Sequence, residues 1–173
     1  MNLIITSSRH LEPEAAEEMS KTLGEFGDFN ATVEISELSG ILTATTSLDP
    51  FLVVKKIQEK ILDEPWTMRY CLRVIPLHDT VYTKKDDIVN SVLKHASVIQ
   101  PQDTYRITVE KRHSEISTSE IINEIAEKIQ NKVSLEKFDW IILIEILGKR
   151  TGIVILKEDD ILSTQKVKRS LSE

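Results

Sequence analysis

The sequence predicts an α+β (α/β) protein of two successive modules, and three observations point to it. Apolar residues in the first 77 positions alternate between the period of a strand and the period of a helix. Two helix starts carry capping signals, at Asp49-Pro50 and at Ser117-Thr-Ser-Glu120. A nearly unbroken apolar run, Trp140 to Leu147, has the composition of a strand buried on both faces. With 173 residues, 40% hydrophobic and 29% charged, the chain is long enough for two small cores and too apolar for wholesale disorder.

Each element has its own signal. Asn2–Ser7 is a short apolar strand before Glu12-Pro13-Glu14, where Pro13 suits the first turn of a helix. Ala15, Met19, Leu23 and Phe26 share one face of that helix, which Gly24 and Gly27 close. Thr32–Ile35 and Ile41–Thr46 read as strands turning near Ser39-Gly40. Asp49 caps a helix that begins at Pro50, with Val54, Ile57 and Ile61 as its buried stripe. Met68 to Ile75 alternates as a strand, placing Arg69 and Arg73 on one face about 13 Å apart at about 3.3 Å per residue. The resulting order, βαββαβ, is the ferredoxin-like pattern.

After Pro76 and the polar stretch around His78-Asp79-Thr80, read as the seam between modules, the rhythm changes. Thr83 and Asp86 are placed as a reciprocal cap for a helix carrying Ile88, Val92 and Ala96. Tyr105, Ile107 and Val109 alternate with polar residues as a strand, and Ser117 and Glu120 open a helix with an isoleucine stripe. The apolar run turns at Gly148–Gly152 into a last strand, Ile153–Leu156. The expected domains are therefore 1–77, 78–160 and a basic tail, 161–173.

Charge excludes some function classes and leaves others. Lys plus Arg is 22 against 28 Asp plus Glu, a net of −6, which speaks against a general nucleic-acid coat. The cations are unevenly spread. Residues 1–65 hold five basic and twelve acidic side chains, whereas residues 66–173 hold seventeen and sixteen. The second stretch clusters them as Arg69/Arg73, Lys111/Arg112/His113, Lys149/Arg150 and Lys166/Lys168/Arg169. Each cluster is open to two readings, a solvated surface or a phosphate site in a locally positive field. Lys111–His113 sits just upstream of a helix N-terminus, where free N–H groups favour an anion; the other reading is that Ser117 and Glu120 cap that helix internally.

No catalytic constellation stands out. Glycines at 24, 27, 40, 148 and 152 match no nucleotide fingerprint, and histidines at 10, 78, 95 and 113 lack metal-ligand spacing. The single cysteine, Cys71, supports neither a disulfide framework nor a thiolate zinc site. The expectation is a chain with no catalytic residues, no metal and no cofactor. No eighteen-residue apolar run exists, so no membrane partner is expected, and the absence of a basic-then-apolar leader in Met1–Ser8 fits a cytoplasmic protein.

The stretch Thr104-Tyr-Arg-Ile-Thr-Val-Glu-Lys-Arg-His-Ser-Glu-Ile-Ser-Thr-Ser-Glu-Ile-Ile resembles a THUMP domain, the RNA-binding module of several tRNA-modifying systems. Asp139–Leu147 with Glu145, the hairpin and Gly152–Leu156 follow the order of that family. The preceding half is similar to the ferredoxin-like domain that accompanies THUMP. Leu48-Asp-Pro-Phe, Ile75-Pro, Ile146-Leu-Gly and Gln165-Lys-Val-Lys-Arg resemble the stand-alone type that assists N4-acetylcytidine formation in tRNA. Lys137-Phe138 stand where the family commonly has Asn-Pro.

The resemblance implies a mixed sheet in the second module and a mechanism of holding rather than reacting. The two modules would form a cleft for the acceptor stem and single-stranded 3′ CCA end of tRNA. A separate RNA cytidine acetyltransferase would then act on the bound molecule. Lys111, Arg112 and His113 match the basic turn, with Ser117 and Ser119 as hydrogen-bonders. Arg69, Arg73, Lys149, Arg150, Lys166, Lys168 and Arg169 are added from charge alone. Tyr105, Trp66 and Trp140 are the aromatic candidates for stacking a base, although Tyr105 and Trp140 also suit a core. An adaptor for methylation or thiolation, and a ferredoxin-like protein-interaction module without RNA, are the alternatives.

Overall fold

The computed structural model of the protein describes all residues, 1–173, as two compact units. One comprises Met1–Leu77 with Asp159–Glu173, the other His78–Glu158.

The first unit holds β1 (Leu3–Thr6), α1 (Glu12–Glu25), β2 (Thr32–Ile35), β3 (Ile41–Thr45), α2 (Pro50–Asp63) and β4 (Arg73–Pro76). Its sheet is antiparallel throughout, in the order β2-β3-β1-β4 with one further strand beside β4. The alternation of β1 sends Leu3 and Ile5 onto α1 and α2, where Met19, Leu23, Ile57 and Ile61 complete a dry core. Asp49 caps α2 as expected, accepting from the Phe51 and Leu52 N–H groups at 2.9 and 3.5 Å. Gly40 turns β2 into β3 at φ +75°, and a Cβ there would lie 2.9 Å from the Ser7 carbonyl oxygen, so only glycine fits without a backbone shift.

Two expectations for this unit fail. The strand expected from Met68 is only β4, beginning at Arg73. Met68 sits at φ +54°, and the next three N–H groups turn onto a carboxylate of α1 instead of joining a ladder. Arg69 and Arg73 therefore do not share a strand face. Nor do residues 161–173 form a separate tail. Leu162 and Ser163 make β9, paired with β4, and the helix α5 (Thr164–Ser170) follows directly. Leu162 is fully buried in the first core, and Val167 packs against it.

The second unit holds β5 (Asp79–Tyr82), α3 (Lys85–His95), β6 (Tyr105–Arg112), α4 (Thr118–Lys128), β7 (Trp140–Leu147) and β8 (Arg150–Leu156). Its sheet runs β5-β8-β7-β6 and is mixed: β6 and β7 are parallel, the other pairs antiparallel. A parallel pair needs a crossover, which α4 supplies. Central β7 is buried along almost its whole length, and Ile142, Ile144 and Ile146 meet Ile88, Val92, Ile121 and Ile125 of the two helices. Each such isoleucine contributes roughly 1.5–3 kcal/mol by leaving water. The boundary between the units falls within the stretch read as a seam, at Leu77 and His78, and from Asp79 that stretch is strand β5. Thr83 does not cap α3; its hydroxyl lies 2.9 Å from that of Thr151, and Lys84 occupies the cap position without a side-chain bond.

Candidate nucleic-acid interface

The chain reverses twice at one end of the second unit's sheet, and the register sets the chemistry there. Arg112 of β6 lies opposite Leu147 of β7, Leu147 opposite Arg150 of β8, and Arg150 opposite Tyr82 of β5. Directly opposed residues share a face. Arg112, Leu147, Arg150 and Tyr82 therefore form one row across the sheet, about 14 Å from end to end at about 4.8 Å per strand step.

The hairpin that carries two of the cations is fastened on both sides. Gly148 takes φ +63°, and its N–H donates to the Arg112 carbonyl at 2.9 Å. On the other side the Thr83 N–H donates to the Lys149 carbonyl at 2.9 Å. Lys149 and Arg150 are thereby held next to the end of β6 and the exit of β5, both side chains exposed. Lys84, two residues beyond Tyr82, is exposed as well. None of Lys84, Lys149 and Arg150 enters an ion pair.

The expected basic turn is partly committed to structure. Arg112 Nη1 lies 2.9 Å from Glu145 Oε2, and the Glu145 side chain is only 1% exposed while that of Arg112 is 32% exposed. Arg112 thus compensates a carboxylate in the middle of β7 before it can serve any ligand. Lys111 Nζ donates to the Ile116 carbonyl at 3.2 Å, tying the end of β6 to the segment before α4. His113 ends the strand at φ +54° and is exposed. Ser117 Oγ accepts from the Glu120 N–H at 3.3 Å and meets Ser119 Oγ at 3.1 Å, so the cap of α4 is satisfied internally.

The remaining expected residues all lie in the first unit. Lys168 Nζ donates to the Met68 carbonyl at 3.3 Å, and Thr164 N–H donates to the Leu72 carbonyl at 3.0 Å, so α5 lies against the Trp66–Leu72 loop. Arg69, Lys166 and Arg169 are exposed, and Arg73 is half-buried opposite Ser163. Arg69 lies 5.9 Å from the centre of the Tyr70 ring. The loop's N–H groups already hold an anion. Glu18 accepts from those of Arg69, Tyr70 and Cys71 at 2.8, 3.0 and 2.9 Å. A groove of about 400 Å³ beside it is lined by Trp66 and Arg69, by Glu14, Glu17, Glu18 and Glu25, and by Lys21 and Lys60, the last paired with Glu25. Burial, and then the charge of Glu18, push the Cys71 thiol far above its ordinary range, so it stays protonated.

Of the aromatic candidates, Tyr105 is fully buried with its hydroxyl on the Ile129 carbonyl, and burial raises its phenol. Trp140 donates to Asp103 at 2.9 Å from its half-buried position. Trp66 is exposed but belongs to the groove of mixed charge beside Glu18. Sequence reasoning missed Tyr82 and Lys84. The signal was there in Thr80-Val81-Tyr82, three strong strand formers in a row, obscured by the polar residues before them. No group of three or more His, Cys, Asp or Glu side chains is placed to hold a metal ion, and no helix is long and apolar enough to cross a membrane.

A mixed four-stranded sheet with this hairpin and crossover defines the class of the second unit. Residues 82–156 match the family model of the THUMP domain, so this unit carries a THUMP domain. Solved structures show the same fold. PH1313 from Pyrococcus horikoshii Ot3 aligns with a TM-score of 0.70 at 16% identity, over 91% of this chain and 55% of that one. TrmN from Thermus thermophilus aligns at 0.57 and 10% identity, over 90% and 45%. A 4-thiouridine synthetase in complex with RNA and with bound ATP aligns at 0.56 and 10% identity, over 94% and 42%. The chain spans about half the length of the solved chains it matches. Comparison with curated proteins finds no match.

Proposed function

We propose that this protein is a non-catalytic, cytoplasmic tRNA-binding adaptor. It docks the acceptor stem and 3′ CCA end of tRNA and presents the molecule to a separate RNA cytidine acetyltransferase for N4-acetylcytidine formation. The observation that carries this reading is the THUMP sheet end, where Lys84, Lys149 and Arg150 stand exposed without acidic partners. Such a cluster gives a local positive field on a chain whose net charge is −6. Contacts of this kind go to phosphates, which position an RNA without reading its sequence, as an adaptor for more than one tRNA requires. That one solved chain of the same fold is a 4-thiouridine synthetase in complex with RNA supports the RNA part of the reading. The acetylation part rests on the resemblance of Leu48–Phe51, Ile146–Gly148 and Gln165–Arg169 to the stand-alone type.

Nucleoside mass spectrometry on tRNA from cells with and without the protein tests the assignment. Loss of N4-acetylcytidine alone is the expected result. Loss of a methylated or thiolated nucleoside instead would make the protein an adaptor for that modification, and an unchanged profile would overturn the adaptor role. In vitro, tRNA binding should weaken when the CCA end is trimmed and when salt is raised. Modification of tRNA by this chain with no second protein would overturn its non-catalytic part.

A further inference from the structure

The second unit exposes one large aromatic side chain next to three of its unpaired cations. Tyr82 is 66% exposed, at the end of the edge strand β5. Its register partner is Arg150, on the same face at the antiparallel spacing of roughly 5 Å between Cα atoms. Lys149 is the next residue of the hairpin, and its carbonyl holds the Thr83 N–H. Lys84 follows, its N–H turned back onto the Tyr82 carbonyl at 2.8 Å. The backbone on both sides of the ring is thus fixed by hydrogen bonds.

This combination narrows the ligand. A flat π face left in water favours a flat or apolar group. The three exposed cations adjacent in chain or register favour an anion on the hairpin side, since Asp79 and Asp87, with Lys94, line the groove on the α3 side. A nucleotide joins the two in one molecule, a planar base on a phosphate chain. Duplex RNA hides its base faces in the stack, so the matching form is single-stranded. We infer that Tyr82 is the stacking platform for one unpaired base of the bound RNA, with Arg150, Lys149 and Lys84 on the flanking phosphates. The inference rests on the RNA-binding reading above and deepens it by assigning the site of the single-stranded segment. Arg112, at the other end of the row and engaged by Glu145, frames the site without being part of the platform.

The test is equilibrium binding of a single-stranded oligoribonucleotide ending in CCA, of its abasic counterpart with the same phosphates, and of an acidic aromatic peptide, each measured across a range of salt. Tyr82→Ala should weaken the base-bearing RNA by roughly 5- to 150-fold, the range expected for one stacked base. Tyr82→Phe should restore it, and Tyr82→Ala should leave abasic RNA unaffected. The salt slope should stay the same in Tyr82→Ala and become shallower by about 0.7 in Arg150→Ala. If Tyr82→Ala binds the base-bearing RNA as the wild type does while Lys149→Ala and Arg150→Ala weaken it, RNA binding stands and the platform is overturned. A changed salt slope in Tyr82→Ala overturns the platform too, because the tyrosine would then act through the cations. A wild-type protein that binds neither tRNA nor the oligoribonucleotide, or that binds only the peptide, overturns both readings.

Discussion

Arg69 in the first unit and Arg150 in the second are both exposed arginines, and both have an aromatic residue close by. Their surroundings differ in what the fold has done with negative charge. Around Arg69, the loop turns three consecutive N–H groups onto Glu18, and three more glutamates line the adjoining groove with Lys21 and Lys60. Around Arg150, the hairpin bonds only to neutral backbone groups and Lys84, Lys149 and Arg150 enter no ion pair, although Asp79 and Asp87 line the groove beside Tyr82. Two clusters that look alike as strings of Lys and Arg therefore differ in how far acids already engage them. Glu18 already fills the N–H groups of the first loop, whereas Lys84, Lys149 and Arg150 enter no ion pair. Cation density shows where such a site can be; the acids that folding brings alongside decide whether it is one.

The sharpest way to break this contrast is Glu18→Ala, which leaves three loop N–H groups without their carboxylate. Hydrogen bonds to a charged acceptor are worth about 1.5–3 kcal/mol each and are not additive, so a loss of about 3 kcal/mol is expected. Urea unfolding measures it. Hydrogen exchange at Arg69, Tyr70 and Cys71 should show protection falling there first, and unchanged protection would mean that Glu18 does not hold the loop. Glu18→Gln, which keeps one acceptor oxygen, should lose less.

Arg112→Ala comes next. It strips the guanidinium from the buried Glu145 carboxylate, with an expected cost of about 2 kcal/mol. That lies below the 3–5 kcal/mol of a fully buried pair because Arg112 is partly solvated. Arg150→Ala should stay within about 0.5 kcal/mol of wild type in the same unfolding assay, as an exposed substitution does. Equal losses for the two arginines would erase the distinction between the structural end of the row and the end proposed to face the RNA.

For binding, reversing Lys149 and Arg150 together to Glu should lower tRNA affinity about tenfold or more and flatten its salt dependence. Arg69→Glu should change it less than about threefold, since Glu18 already occupies the neighbouring N–H groups and Glu14 and Glu17 share its groove. An Arg69 variant that loses as much as the hairpin variant would show that the first unit's cations also reach the RNA.

The smallest effect concerns pH. Asp28 accepts from the Thr46 hydroxyl at 2.6 Å and from the Ser47 and Asn30 N–H groups at 2.8 and 3.1 Å, and these bonds, the Thr46 one foremost, hold its carboxyl below the usual range. A carboxyl with a depressed pKa in the folded state contributes stability that is present above its unfolded pKa, about 4. That contribution is lost as pH falls through the lower folded value. The first unit should therefore weaken below about pH 4, and Asp28→Asn should flatten that dependence. A wild-type and variant pair with parallel pH curves would remove Asp28 from the account.

Much of the architecture was legible in the chain because it is written in local chemistry. The Asp49 and Ser117 caps and the isoleucine run of β7 are found as read, while the turn into β8 is tighter than the expected Gly148–Gly152, with the strand starting at Arg150 rather than Ile153. The misreadings share a different cause. Met68–Leu72 alternates like a strand, and what stops it is Glu18, fifty residues away on α1. Leu162 looks like part of a polar tail until β4 offers it a free edge and a core to enter.

The candidate site divides along the same line. Lys111–His113 and Lys149-Arg150 were visible as clusters, and the hairpin between β7 and β8 could be inferred from Gly148 and Gly152. Tyr82 could not be joined to them from sequence, because it lies sixty-eight residues from Arg150 and meets it only through the pairing of β5 with β8. Local propensity and periodicity settle which segments become helix or strand, since those energies act between near neighbours. Which cations stay unpaired, and which aromatic ring stands among them, depends on register and long-range contact. Those are decided only when distant segments share a sheet.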